Sequence, residues 1–376
     1  MSSLYWIRRD FRIDDNPALL SALSQNCKRA VFITAYTTWQ DHNLSPIQAD
    51  LIERHLNHFS DQLAALGIEV ELLEADTFAE QQTLLVNYCK EHGIDTVYAN
   101  SEVELREQRR DKQLQQTLNF NLYEADTILP YGSVLNKQGE MFKVFTPYRN
   151  AWLKYLKQFS FNTEHLGAIK QPTVNAQHQL TLNTPKQDSS KWPLASSINA
   201  QVLPNFLATK LSDYADDRDF PAIKGTSGIS PYLAIGAISP KRALYETLSQ
   251  FPEVLEDAKA PIFCWVNELV WREFYRNLLN AFPQLSKLLD FQEKFKNFNW
   301  PENQTMFTAW CEGKTGFPIV DAAMRQLHQT GWMHNRLRMI VASFLTKHLL
   351  VDWRLGEAYF MKHLIRHQIK CVINYT

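Results

Sequence analysis

No stretch of this 376-residue sequence approaches the roughly 18 consecutive apolar residues that a membrane span requires. The N-terminus, MSSLYWIRRDF, places Arg8, Arg9, Asp10 and Arg12 where a secretory signal would need an apolar core. Cysteine is sparse. Cys27, Cys89, Cys264, Cys311 and Cys371 are scattered and form no CxxC pair, which argues against a disulfide framework and against a zinc site, and no metal is expected. No GxGxxG follows the first β-rich run, so a nicotinamide dinucleotide site of the usual kind is disfavoured. Internal repeats and heptad runs are missing as well. These absences leave a soluble, cytoplasmic, globular protein as the expectation.

What is present fits that class, with 45% hydrophobic and 21% charged residues. Net charge is -1, yet it is unevenly spread: residues 1–130 hold 11 basic and 20 acidic residues, a balance of -9, and the remaining 28 and 20 give +8. A polyanionic partner would therefore meet the second half. In the first 130 residues, LYWI (Leu4–Ile7), AVFITAY (Ala30–Tyr36), IEVELLEA (Ile68–Ala75), DTVYA (Asp95–Ala99) and NLYEA (Asn121–Ala125) read as strands. QADLIERHLNHFSDQLAALG and FAEQQTLLVNYCKEHG between them have helical spacing closed by glycine, so an α/β domain with a parallel, Rossmann-like sheet is predicted. A Gln-, Asn-, Ser- and Thr-rich stretch with Pro172, Pro185 and Pro193 reads as a connector, and from Leu211 aromatic-rich helical patterns take over. The expected units are an α/β domain at 1–130, a connector at 131–210, an all-α domain at 211–365 and a tail at 366–376.

Four groups of residues could carry chemistry. In KGTSGISPYLAIGAIS, Thr226, Ser227, Gly228 and Ser230 precede a helix with Pro231 in its first turn, which is an anion-binding terminus or simply a capped start. In FCWVNELVWREFYRNLL, helical spacing puts Trp265 and Glu268 on one face with Trp271 or Arg272. That face could hydrogen-bond a base edge and stack a base, or it could be an internal Glu–Arg pair amid core aromatics. In GWMHNRLRMI, read as helix, Trp332, Asn335 and Met339 share a face while Arg336 and Arg338 point elsewhere, and His334 reads as a hydrogen-bonded structural histidine. Trp300 and Trp353 lie outside these clusters, and an indole can be oxidised by a photoexcited cofactor.

Taken together, LYWIRRDFRIDDNPAL, FKVFTPYRNAWLKYL, TSGISPYLAIGAIS, WVNELVWREFYRNLL and the long run from FPIVDAAM to EAYFMKHLI resemble the photolyase/cryptochrome family, specifically bacterial class I cyclobutane pyrimidine dimer photolyases. The resemblance implies an N-terminal α/β antenna domain and an all-α FAD-binding domain, acting as a monomer on DNA containing pyrimidine dimers. It implies that Tyr214, Thr226, Ser227, Gly228, Ile229, Ser230, Trp265, Glu268, Arg272, Trp332, Asn335 and Arg338 surround FAD. Glu268, Trp271, Asn335 and Met339 are the implied lesion contacts, Trp271 and Arg336 contact DNA, and Trp300 and Trp353 belong to a photoreduction chain. His42 and Glu104 resemble positions that hold a 5,10-methenyltetrahydrofolate antenna.

After Ile365 the family pattern gives way to RHQIKCVINYT. The expectation drawn from this is a truncation that leaves the FAD-binding domain incomplete and FAD binding and repair impaired. The alternatives are a cryptochrome-like photoreceptor without repair and a non-functional remnant.

Overall fold

The computed structural model describes residues 2–159, 179–283, 285 and 299–366. Residues 160–178 of the expected connector and 367–376 of the expected tail lie outside them. The first domain is a five-stranded, all-parallel sheet of β1 (Ser3–Ile7), β2 (Arg29–Ile33), β3 (Glu69–Leu73), β4 (Thr96–Asn100) and β5 (Phe120–Tyr123), in the order β3-β2-β1-β4-β5. The crossovers carry α1 (Pro17–Ser24), α2 (Tyr36–Asp41), α3 (Pro46–Ala65), α4 (Phe78–Glu91) and α5 (Leu105–Leu114). All five predicted strands form: β1 gains Ser3, β4 is shifted by one residue, and the other three end earlier than predicted. AVFITAY stops at Ile33, and Tyr36 opens α2 instead.

Helix starts follow local capping chemistry. Asn16, Ser45 and Thr77 each accept a backbone N–H of their helix's first turn, and Pro17 and Pro46 occupy first-turn positions whose N–H would have no partner. Successive residues of β1 face opposite ways. Leu4 and Trp6 join a core beneath α4, whereas Tyr5 and Ile7 join one that runs without a break into the second domain.

Within residues expected to be connector, α6 (Phe145–Leu156), α7 (Ala195–Ser197), a π-helical turn (Ile198–Val202) and α8 (Leu203–Thr209) form. Residues 180–195 are bound across α3: Arg54 donates to Ser189 and Trp192 carbonyls, Asn57 bonds Leu180 in both directions, and His55 Nε2 accepts Ala195 N–H. The polar composition that suggests a loose linker thus supplies hydrogen bonds to α3. The second domain is helical throughout its described residues: α9 (Tyr214–Asp217), α10 (Ser230–Ala234), α11 (Pro240–Gln250), α12 (Phe263–Ala281), α13 (Gln304–Glu312), α14 (Pro318–Thr330), α15 (Asn335–Ser343) running into a π-helical turn, and α16 (Trp353–His363). Among the described residues, no helix is long and apolar enough to cross a membrane.

The two domains meet at the loop after β1. Arg12 donates to the carbonyls of Gly236 (2.7 Å) and Ala125 (2.8 Å), and Ser239 Oγ hydrogen-bonds Asp15. Gly236, at φ +70°, sits so close that a Cβ there would lie 1.8 Å from the Arg9 carbonyl oxygen. Farther along, buried Glu273 of α12 accepts the N–H groups of Ile128 (2.6 Å) and Leu129 (3.1 Å) and the indole N–H of Trp152 (2.7 Å).

Gly236→Ala is expected to destabilise the fold by about 2 kcal/mol or more, the left-handed penalty plus the cost of moving the Arg9 backbone, read as a fall in the urea midpoint. Gly139→Ala isolates the first cost, because Gly139 has φ +78° and nothing within 4 Å of an added Cβ. Equal losses in the two variants would refute the close seating. His55 supplies a pH test: burial pushes its pKa from 6.5 down to about 4, and its Nδ1 lies 2.7 Å from the Leu51 carbonyl. As pH falls through that window the unfolded chain takes up a proton that the folded chain resists, so stability is lost on acidification. The loss should reach about 2 kcal/mol by about pH 5, and His55→Gln should flatten the urea-stability profile between pH 7 and pH 5. An unchanged slope would refute it.

Candidate functional site

Helix α12 carries the centre of the site. Trp265, Glu268, Leu269, Trp271, Arg272 and Tyr275 recur at helical spacing and all line one cavity of about 420 Å³. Both Trp271 and Arg272 share it with Trp265 and Glu268, where spacing alone leaves the choice open. The opposite wall comes from 100 residues away or less: Tyr214 of α9, the segment Thr226–Ser230 with Leu233 of α10, and Trp332–Arg336, Arg338 and Met339 around the start of α15. Every residue implied for cofactor, lesion or DNA contact therefore borders this one cavity. Helix α10 has five residues, and no side chain caps it, so its start is not the capped start that the sequence allows.

Charge is arranged in pairs around the cavity. Glu268 does form an internal ion pair, but with Arg218 (2.9 Å) rather than with Arg272, and Arg218 also donates to Cys264 Sγ (2.9 Å). Burial works against the Arg218 charge, yet Glu268 together with Tyr214 and Cys264 outweighs it and holds the pKa above the ordinary value. Arg272 instead binds Asp126 through both its backbone carbonyl and its carboxylate, and donates to the Leu233 carbonyl (3.3 Å). Burial raises the Asp126 pKa, but Arg272 and Arg276 prevail and hold it low. Arg336 makes a forked contact to Asp219 (2.6 and 2.9 Å) whose hydrogen bonds depress the carboxyl pKa. Arg338 is buried and donates to the Met333 carbonyl (2.9 Å).

Three expectations are corrected, the first of them by the local backbone. Trp332 is not helical: α14 ends at Gly331 in the left-handed conformation, and α15 begins only at Asn335. His334 caps that start, its Nδ1 accepting Arg336 N–H (3.2 Å), which is the structural role foreseen for it. Arg336 and Arg338 do not point elsewhere, because both border the cavity with Asn335 and Met339. Trp271 is also less open than a stacking platform should be. Phe145 lies parallel to its indole with centroids 3.4 Å apart, and Tyr275 lies near-parallel at 5.6 Å.

Trp300 and Trp353 border neither cavity described here. Trp353 is buried in the first turn of α16 with the Arg354 guanidinium 4.6 Å from its ring centroid, and Trp300 is half-buried ahead of α13. His42 and Glu104 do come together, on a second cavity of about 180 Å³ at the C-terminal edge of the sheet. Trp6, Trp39, Phe11 and Phe32 supply aromatic walls, and Ala234 and Ile235 close it from the second domain. His42 Nε2 lies 2.6 Å from Arg106, and burial, with Arg106, lowers its pKa.

Sequence reasoning misses several cavity residues. Arg218 and Asp219 stand in the charged run DDRD, which reads as a solvated surface, and Tyr275 and Leu269 read as core. On the second cavity it misses Glu107, whose pKa burial and Glu104 push up to about 7, and Gln48, whose buried Oε1 has no hydrogen-bond partner. The helical periodicity of α3 and α5 held the only hint, a polar side chain on the buried face.

A family model described as DNA photolyase matches residues 3–170, and one described as the FAD binding domain of DNA photolyase matches residues 265–374. The chain is 40% identical over 370 residues to the deoxyribodipyrimidine photo-lyase of Escherichia coli strain K12, covering 96% of this chain and 78% of that protein. It is 43% identical over 376 residues to the deoxyribodipyrimidine photo-lyase of Vibrio cholerae, covering 96% and 79%. Its fold superposes on the crystal structure of a bacterial class III photolyase from Agrobacterium tumefaciens with a TM-score of 0.79 at 30% identity, covering 100% of this chain and 78% of that one.

Proposed function

The chain belongs to the DNA photolyase family, and we propose that its reaction is the light-driven splitting of cyclobutane pyrimidine dimers in DNA. By family it is a lyase of DNA repair that carries the FAD-binding domain. The observation that supports the finer reading is the convergence on one cavity of aromatic rings, arginines and the Glu268–Asn335 pair of hydrogen-bonding side chains.

The cavity suits FAD on its own chemistry. Its wall includes Arg218, Arg272 and Arg338 for an anionic group, and Arg272 Nε is buried without a hydrogen-bond partner. Gly228 adopts φ +68°, which keeps the Thr226–Ser230 backbone in a turn that a side chain would strain. In this reading Thr226, Ser227, Gly228, Ile229 and Ser230 would hold the phosphates and ribityl chain together with Tyr214. Trp265, Arg272, Trp332 and Arg338 would pack and hydrogen-bond around the rest of the cofactor. Trp265 is preset for this by its indole N–H, which donates to Ser227 Oγ (3.3 Å). The chemistry that reduced FAD would supply there under blue or near-UV light is an electron lent to the cyclobutane ring and returned after it opens.

The chain's own part is to place the lesion. Glu268 would hydrogen-bond the dimer's base edge, with Arg218 holding the carboxylate in place. Asn335, able to donate and accept, would take a second edge, and Met339 would pack beside it. Trp271, fixed by Phe145, would meet the dimer with whatever ring surface Phe145 leaves open. Arg336 would reach a DNA phosphate, and Trp353 with Trp300 would relay electrons to the cofactor.

The smaller cavity is assigned to an antenna pigment, 5,10-methenyltetrahydrofolate, held by His42 and Glu104. The lone Gln48 Oε1 is an acceptor for a ring N–H, which fits such a heterocycle. Near-UV absorbance retained by gel-filtered protein after folate addition tests this, and no retention would reject it.

The main test is repair of a thymine-dimer oligonucleotide by FAD-loaded protein under blue light and in the dark. Light-dependent repair is expected. Glu268→Gln should slow it about tenfold to a hundredfold, the worth of a hydrogen bond to a charged group. Trp271→Ala should weaken damaged-DNA binding about fivefold or more, the scale of base–aromatic stacking. Flavin-loaded protein that leaves the dimer intact in light would refute the proposal.

A further inference from the structure

The two cavities are joined by a chain of alternating charges. Glu104, in the wall of the smaller cavity, accepts from Arg9 (2.5 Å) and from Arg276 Nη1 (2.9 Å). Arg276 Nη2 pairs with Asp126 Oδ2, and Asp126 Oδ1 pairs with Arg272 Nη2, in the wall of the larger cavity. Arg276 itself borders neither cavity. Its side chain is only 12% exposed, and those of Glu104 and Arg272 are 18% and 5% exposed. Water therefore screens this chain weakly, and each pairing depends on the next. Asp126 has no backbone helix or strand to fix it, and its carboxylate is held by the two arginines, with Tyr131 Oη at 3.4 Å.

We propose that Arg276 is a positioning residue that couples the two cavities, so that the charge on Glu104 in one wall sets how Arg272 is presented in the other. Removing Arg276 frees Asp126 to turn toward Arg272, and removing the Glu104 charge frees Arg276 to draw closer to Asp126; either change shifts the Arg272 guanidinium relative to its cavity. Coupling of this kind is reciprocal, so whatever binds against Glu104 changes affinity at the larger cavity by the factor it feels in return. The inference rests on the reading that FAD fills the larger cavity.

The test is the FAD dissociation constant of the full chain, measured by flavin fluorescence for wild type, Glu104→Gln, Arg276→Gln, Arg276→Lys and the double variant Glu104→Gln/Arg276→Gln. Arg276→Gln is expected to weaken FAD about fivefold or more, the lower end of measured site coupling, and Arg276→Lys, which keeps charge but not the fork, to fall between. Glu104→Gln, which touches only the other cavity, should weaken FAD in the wild-type background and have no further effect in the Arg276→Gln background. Additive losses would mean that Glu104 and Arg276 act on FAD independently of each other. Unchanged constants or additive effects overturn the inference. If Arg276→Gln yields no folded protein, the near-isosteric Glu104→Gln decides alone, and an unchanged constant overturns it. A wild-type chain that takes up no FAD overturns the cavity assignment itself.

Discussion

The architecture depends on how closely the loop after β1 is seated against Gly236. Backbone meets backbone there, with no room for a Cβ, and the polar side chains of RRDFRIDDN are arranged around that contact. Asp10 accepts from Tyr5 (2.7 Å), Arg8 N (2.8 Å) and Asn100 (2.6 Å), Arg8 forks onto Asp111 (2.7 and 2.8 Å), and Arg12 crosses to the second domain. Buried polar groups are costly when unpaired and directional when paired. A seam made of them tolerates one docking geometry where an apolar seam would tolerate several.

That single geometry places both cavities. Helix α10 follows directly into Gly236, so fixing Gly236 fixes α10 as a partition: Ser230 and Leu233 face the larger cavity, while Ala234 and Ile235 face the smaller. Helix α12 is fixed independently by Glu273, whose carboxylate gathers Ile128, Leu129 and Trp152. The same crossing segment presents Asp126 to Arg272 and Arg276, so the chain that leaves the sheet after β5 also braces the floor of the larger cavity.

Much of this was legible in the sequence, for definite reasons. Period-two and period-3.6 patterns revealed the sheet, α3, α4 and α12, because those elements bury one face against a large core. Motif resemblance brought His42 and Glu104 to one cavity and all the residues expected at cofactor and lesion to the other. What stayed hidden depended on tertiary pairing. Arg218 reads as a surface charge until Glu268 is seen opposite it. Trp332 reads as helical until Gly331 turns left-handed. The segment 180–195 reads as linker because its hydrogen-bond partners Arg54, Asn57 and His55 lie on α3, more than a hundred residues earlier.

The charge asymmetry needs the same correction. A balance of +8 in the second half suggests a uniformly basic partner for DNA, yet Arg272 and Arg276 are neutralised across the seam by Asp126 and Glu104 from the acidic half. Their pairs are buried, and breaking such a pair leaves an uncompensated charge, so neither arginine can leave its carboxylate for a DNA phosphate. Arg336 differs. Its pair with Asp219 is 36% and 48% exposed, the kind of ion pair worth about 0–1 kcal/mol. A phosphate, with more charge and more acceptors than a solvated carboxylate, can displace Asp219 at little cost. Exposure of the existing partner, more than net charge, therefore selects which arginine at this cavity can exchange its carboxylate for another anion.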